Sequence, residues 1–343
     1  MSNIYVHGLG AISPAGWGLP AFRAALARNE PLPPADLARP GWDKPLRVRK
    51  TPAASPRPAF LAHARLRRTS PIAHYAVSAA LEALGEDAAK ISTGLKLGIV
   101  YCAMSGCVNY SRRFYDEVLK DPATASPLVF PETVYNSPAS HLAALLGTTA
   151  INYTIVGDPG TFLQGIALAA DWLSSERVDG CLVVGAEEID WLMADAMKLF
   201  SRQSIVSDGA GALYLKREPV GGLGVQLNAI TSPQLFHAGR SRAEAAQRVR
   251  AELSEFVQDS ELLSDGLQGV PRADRDEQTA WSDWSQSRLS VKTILGEGFM
   301  AAATWQCVAA VDALREPSFN AATVSIVGCN QQAIAAQFVR AQL

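Results

Sequence analysis

The chain lacks a charge excess of either sign. Its 31 Lys and Arg stand against 33 Asp and Glu, a formal net charge of −2. Nucleic acid and anionic membranes are bound by concentrated positive charge, so neither is expected as a partner. Long apolar runs are missing too. No stretch of about 18 uncharged apolar residues occurs, which argues against a membrane span. Cysteine is sparse: Cys102, Cys107, Cys181, Cys307 and Cys329 are scattered, odd in number and without a CxxC pair. Neither a disulfide framework nor a zinc site is indicated. The five histidines, His7, His63, His74, His141 and His237, have no metal-ligand spacing, and no cofactor is expected. The opening Met-Ser-Asn-Ile-Tyr-Val-His-Gly has no basic region followed by an apolar stretch and a cleavage site. No signal peptide is read, and a reducing cytoplasmic compartment fits best.

What is present is core material. The 343 residues are 48% hydrophobic and 19% charged, enough for a sizeable interior. The length exceeds the usual ~150 residues per domain, so one large or two fused units are expected. Residues 3–13 read as a strand entering a Gly-rich turn, 19–28 as a helix, and 30–60 as a Pro-rich surface excursion. Helical spacing returns at 70–85. Leu97 to Cys102 reads as a buried strand, 110–120 as helix and 122–138 as Pro-rich loop. The middle is most informative. A strand at 150–156 breaks at Gly157-Asp158-Pro159-Gly160, an apolar helix runs from about Thr161 to Ser175, and a buried strand follows at 180–186. Apolar strands around a helix imply a sheet covered on both faces. Residues 209–215 and 222–230 read as two adjacent strands. A helix at 241–257, a strand at 260–264, a helix at 298–315 and a strand at 322–328 close the chain. The glycines at 209–211 read as close strand packing.

Several fragments, in order, make a pattern. They are Val6-His-Gly-Leu-Gly-Ala-Ile-Ser-Pro-Ala-Gly, Phe130-Pro-Glu-Thr-Val-Tyr-Asn-Ser-Pro-Ala-Ser with Leu145-Leu-Gly, Val183-Val-Gly-Ala-Glu-Glu, and Ser207-Asp-Gly-Ala-Gly-Ala-Leu-Tyr-Leu. Over nearly its whole length the chain resembles the β-ketoacyl synthases of the thiolase fold. The resemblance implies an α/β molecule of two related halves, 1–215 and 216–343, in an α-β-α-β-α layering. It is shorter than an ordinary member, with the shortening around 198–207.

The resemblance also implies a chemistry. In such enzymes a cysteine at the start of a buried helix takes an acyl chain from a carrier protein. The helix N-terminus lowers the thiol pKa and holds the oxyanion. Two histidines and a lysine serve the decarboxylating condensation. Counting back from Ile166-Ala167, the nucleophile position falls on Pro159, with Asp158 and Gly160 on either side. No cysteine or serine occurs in 155–165, and Thr161 is the hydroxyl there. Ser264-Asp-Gly-Leu-Gln-Gly fits the first histidine segment and places Asp265 on it. Lys292-Thr-Ile-Leu-Gly-Glu297 fits the second, keeping the lysine but carrying glutamate. Val327-Gly-Cys-Asn fits the late Gly-Phe-Gly segment, so Gly328 and Cys329 join the expected pocket with Asp158, Thr161 and His237. Proline has no nucleophilic side chain, so the covalent step is lost.

Simpler readings stand beside these. Asp158 and Pro159 suit an N-cap and a first helical position. Asp265 and Glu297 are either an acid/base couple or residues of a relict pocket satisfied by Lys292. Cys102 and Cys107, placed in a strand-to-helix loop, and the other cysteines are expected to be inert, with Cys329 and Cys107 the first to consider as replacement nucleophiles. Arg47, Arg49 and Lys50, and Arg65, Arg67 and Arg68, are solvated faces or a surface for an acidic acyl carrier protein. The resemblance points to a chain-length-factor-like subunit without catalysis, dimerising through 150–156 with itself or with an active ketosynthase. The alternatives are an acyltransferase or decarboxylase using Asp265, Glu297 and Lys292, and a carrier-binding scaffold.

Overall fold

A computed structural model of the chain describes residues 3–219, 224–236 and 241–341. The first part contains β1 (Ile4–Ser13), β2 (Gly16–Trp17), α1 (Leu19–Arg28), β3 (Ala35–Leu37), β4 (Leu46–Arg49), α2 (Pro71–Leu84), α3 (Asp87–Lys90), β5 (Leu97–Ala103), α4 (Val108–Lys120), α5 (Ser137–Leu146), β6 (Asn152–Val156), α6 (Thr161–Ser174), β7 (Gly180–Glu187), α7 (Trp191–Phe200), β8 (Val206–Ser207) and β9 (Gly209–Lys216). The second contains β10 (Val225–Ile230), β11 (Gln234–Leu235), α8 (Arg242–Leu253), β12 (Glu261–Asp265), α9 (Pro271–Ala280), β13 (Ser287–Ser290), α10 (Val291–Leu295), α11 (Met300–Ala313), β14 (Ala321–Val327) and β15 (Gln332–Arg340).

The strands follow the order β13-β12-β14-β15-β10-β1-β9-β7-β5-β6. Read from each end, the path is the same. β6, β5 and β7 are parallel, then β9 and β1 pair antiparallel. β13, β12 and β14 are parallel, then β15 and β10 pair antiparallel. The two runs meet where β1 pairs with β10. β1 therefore separates the strands expected to be adjacent at 209–215 and 222–230.

Equivalent helices, α6 and α11, link equivalent strands. α11 is apolar and buried around almost its whole circumference, which requires neighbours on every side. It packs on β7 and β9 of one run and on β12 and β14 of the other, while α6 packs on β5 and β7 and reaches β15. Both lie between the runs. α2 and α5 cover one outer face, and α8 and α9 the other. The expected α-β-α-β-α layering is the one observed. Gly211 meets α11 so closely that a Cβ there would lie 2.6 Å from Thr304 Cγ2.

The local differences have physical reasons. The 30–60 excursion contains β3 and β4, which form a small sheet with β8. Its Val48 is wholly buried. Helices α5, α7 and α9 and strands β13 and β15 emerge where no element was read. β15 (Gln-Ala-Ile-Ala-Ala-Gln-Phe-Val-Arg) carries three alanines and two glutamines, residues that favour a helix in isolation, and the ladder with β14 and β10 extends it. No helix among the described residues is long and apolar enough to cross a membrane.

Candidate functional site

The site forms where the tip of α6 meets the β14–β15 loop and the segment before α11. After β6 the chain turns through Gly157–Gly160, and the helix begins at Thr161 with Gly160 as its cap. Asp158 and Pro159 are not the N-cap and first helical residue. The entry is closed by shorter i→i+3 bonds, Thr161 N to Asp158 O (2.9 Å) and Phe162 N to Pro159 O (3.2 Å), so the helix starts two residues later. Asp158 Oδ1 accepts the Gly160 N–H at 3.1 Å. Its Oδ2 accepts the N–H groups of Gln331 and Gln332, each at 3.2 Å. The carboxylate thus ties the helix tip to the facing loop. A Cβ on Gly328 would lie 1.8 Å from Asp158 Oδ2, so the loop approaches this closely only with glycine there. Burial pushes the Asp158 pKa up, against these hydrogen bonds.

The tip offers no open hydroxyl or thiol. Pro159 is buried. Thr161 is 3% exposed, and its hydroxyl accepts from Gln332 Nε2 at 3.3 Å. Gln332 also contacts Asp158 Oδ1 (3.3 Å) and pairs with the Gln164 side chain (3.1 Å). Sequence reasoning missed Gln332. Its position just after the Gly-Cys-Asn turn, followed by Ala-Ile-Ala-Ala, is the available signal.

The second element is Lys292–Glu297. Gly296 has φ +94°, and a Cβ there would lie 2.8 Å from Ile205 O. This allows the Glu297 backbone to bridge to β8, with Glu297 N to Ile205 O and Ser207 N to Glu297 O both at 2.9 Å. The Glu297 carboxylate is fully engaged. Oε2 accepts from Lys292 Nζ (2.8 Å) and Gln268 Nε2 (2.9 Å), and Oε1 from the Phe299 N–H (2.7 Å). Lys292 and Glu297 are 4% and 6% exposed in their side chains. Phe299, at φ +48°, holds a strained backbone at the start of α11.

Asp265 ends β12. It accepts from the Ser290 hydroxyl (2.6 Å) and the Leu267 N–H (3.3 Å), and Arg288 lies 3.7 Å from its Oδ2. Among the described residues no hydrogen bond joins it to Lys292 or Glu297. Lys292 bonds Glu297 (2.8 Å), while Asp265 is held by Ser290, the Leu267 N–H and Arg288. Gln268 links them, because its loop follows Asp265 and its side chain reaches Glu297.

Cys329 is the one cysteine that is not buried. Burial, then the Glu297 and Asp158 carboxylates, push its thiol up to about 12, with Lys292 opposing. It therefore sits between the two elements, but in an environment that suppresses the thiolate, the reactive form. Cys102 lies within β5 rather than in a loop, and burial raises its pKa, as it does for Cys107, Cys181 and Cys307. His237 falls outside the described residues. Arg49 is no solvated residue, because it donates to the carbonyls of Leu32 (2.6 Å) and Thr293 (3.3 Å). Arg65, Arg67 and Arg68 are exposed.

Two buried carboxylates frame the end of β7. Glu187 accepts the Met104 (2.5 Å) and Ser105 (3.1 Å) N–H groups, and burial pushes it up to about 8. Glu188 takes the Ser70 hydroxyl and the Ile72 and Asn109 N–H groups. Both hold loops around the sheet end.

Two mirrored five-strand runs with two buried helices between them define a thiolase-like α-β-α-β-α fold. Solved structures carry the same arrangement. The ishigamide ketosynthase/chain length factor is similar with a TM-score of 0.82 and 17% identity, over 99% of this chain and 100% of that one. A β-ketoacyl synthase from Burkholderia phymatum STM815 has a TM-score of 0.80 and 16% identity, with 100% of both chains covered. A type II PKS acyl-carrier protein in complex with its ketosynthase bound to the hexaketide gives 0.79 and 16%, over 98% of this chain and 99% of that one. At these identities the likeness is one of fold. No family model and no curated protein matches the sequence.

Proposed function

We propose that the chain is a β-ketoacyl-synthase-like subunit that does not condense, working as a chain-length-factor-like partner of an active ketosynthase in fatty-acid or polyketide-type biosynthesis. The carrying observation is the tip of α6. Where the resemblance places a cysteine stands buried Pro159, and the nearest hydroxyl, on Thr161, is bonded to Gln332. Asp265 and Glu297 stand at the histidine positions, and both Glu297 oxygens are taken up by hydrogen bonds from Lys292, Gln268 and the Phe299 N–H. The subunit comprises two related halves, 1–215 and 216–343, and acts in the reducing cytoplasm, where its five free cysteines persist.

Two surfaces support the partners. Among the described residues β6 is the last strand at its end of the sheet, and Tyr153 and Val156 are 52% and 50% exposed. An uncharged edge of this kind calls for cover. A ketosynthase subunit or a second copy pairing there would continue the sheet. The exposed Arg65, Arg67 and Arg68 suit an acidic acyl carrier protein, whose approach they would steer.

The test is co-expression with an intact Cys-His-His ketosynthase from a neighbouring gene, followed by co-purification and intact-mass measurement after exposure to an acyl thioester. Association without an adduct on this chain is expected. A monomer at micromolar concentration that binds no ketosynthase sinks the reading. A second reading, acyl transfer or decarboxylation through Asp265, Glu297 and Lys292, draws on the burial of Lys292 and Glu297 near Cys329. It requires turnover of a malonyl thioester that disappears in Glu297→Ala.

A further inference from the structure

A cavity of about 210 Å³ opens in the second half, between α8 and the turn that follows α9. It lies away from the α6 tip. The site described above sits where β12 and β14 end, at Asp265 and Gly328. The cavity instead borders Gln286, whose Oε1 accepts the Glu261 N–H (2.6 Å) at the start of β12. Its walls are apolar. Trp281 and Trp284 meet edge to face with ring centroids 5.5 Å apart, and Leu253 and the half-exposed Val257 complete the wall.

Most polar groups of the lining are spent on the protein itself. Trp281 Nε1 donates to Ser325 Oγ and Trp284 Nε1 to Ser287 O, both at 3.1 Å. Gln286 Nε2 donates to Gln258 O (3.1 Å), Ser254 Oγ to Ala251 O (2.7 Å) and Thr323 Oγ1 to Glu261 (2.5 Å). Glu261, buried behind Thr323, also accepts from Gln337 Nε2 (2.8 Å) and the Gln258 N–H (3.0 Å). Arg250 differs. Its Nη1 donates to Ala280 O (2.6 Å) and to Asp283, and the guanidinium carbon lies 5.3 Å from the centre of a Trp281 ring. These three contacts fix the group in place. Among the described residues its Nε and Nη2 make no hydrogen bond, and such an edge of a guanidinium takes a carboxylate at two points. Asp283, the carboxylate in the lining, is already paired with Arg250. The Ser285 hydroxyl is likewise open among the described residues.

We propose that this cavity binds a small monocarboxylate with a ring-sized apolar body, the body against the tryptophans and Leu253 and the carboxylate on the Nε–Nη2 edge of Arg250. A dry cavity of about 150 Å³ accepts a benzene ring, so the present one has room for a ring and a short acidic arm. The class of ligand follows from the lining. Hydrocarbon walls favour an apolar body. A neutral ligand that displaced water would leave the guanidinium edge without a charged partner, and a cationic one would meet a like charge. The site does not depend on whether the chain condenses acyl groups.

Phenylacetate is the probe, phenylacetamide its neutral counterpart and acetate the carboxylate without a ring. Each is titrated into the full chain, read by tryptophan fluorescence and by calorimetry. Phenylacetate is expected to saturate with a Kd of about 1 mM or lower, at least about tenfold tighter than either comparison. Arg250→Gln and Trp284→Ala are each expected to weaken it at least about tenfold. No saturation by phenylacetate below about 10 mM overturns the proposal. So does phenylacetamide binding as tightly as phenylacetate, which would remove Arg250 from recognition. Binding that either variant leaves unchanged places the ligand elsewhere and overturns it too. The comparison of the two probes uses the unaltered protein, so it decides the matter even where a variant does not fold.

Discussion

At the scale of residues, the molecule's character lies in how it engages its buried polar groups. Lys292 and Glu297 form an ion pair with almost no water contact, and such a pair is sensitive to losing one member. Lys292→Met leaves an uncompensated anion and is expected to cost about 3–5 kcal/mol, whereas Lys292→Met with Glu297→Leu costs less. Urea unfolding of both variants checks this, and equal losses would mean that the pairing contributes nothing. Asp158 serves three backbone donors across two loops. Asp158→Ala is expected to destabilise by about 1–3 kcal/mol, with Asp158→Asn between it and the original. The same measurement checks that ordering.

At the scale of elements, the edge strand β6 is decisive. It is short and uncharged, and none of its residues is buried. Val156→Lys is expected to change folding stability by no more than about 0.5 kcal/mol, because the side chain is half exposed in the single chain. It is expected to abolish pairing with a second copy or a ketosynthase. Analytical ultracentrifugation beside thermal unfolding separates the two effects. The buried α6 was readable because it is mostly apolar and a Gly-Asp-Pro-Gly turn precedes it. β15 was not, because alanine-rich strands take their conformation from neighbours. The site shared this fate. Lys292, Gly296 and Glu297 were legible as a spaced segment, while Gln268 and Gln332 are ordinary polar residues until the fold brings them to Glu297 and Asp158.

At the scale of the whole molecule, several carboxyls are held above their usual range. Burial pushes Glu187 up to about 8, Glu277 up to about 7 and Asp208 up to about 6. Between about pH 5 and pH 8 the folded chain therefore binds more protons than the unfolded chain, so stability declines as pH rises through this window. The melting temperature is expected to be higher at pH 6 than at pH 8.5. Glu187→Gln is expected to flatten the slope, since its shift reaches furthest. A melting temperature that rises across the window contradicts this assignment.

The residues alone determined the layered α/β class, the strand–helix–strand unit around α6 and the absence of a thiol at its tip, because these depend on apolar patterning and on which atoms a side chain carries. Tertiary structure decided the mirrored order of the two strand runs, the extended state of β15, the different partners of Asp265 and Glu297 and the closure of the tip by Gln332. Those features come from contacts between distant segments, 174 residues apart in the Asp158–Gln332 bond and 29 in the Gln268–Glu297 bond. No local pattern encodes which distant donor a buried carboxylate will find.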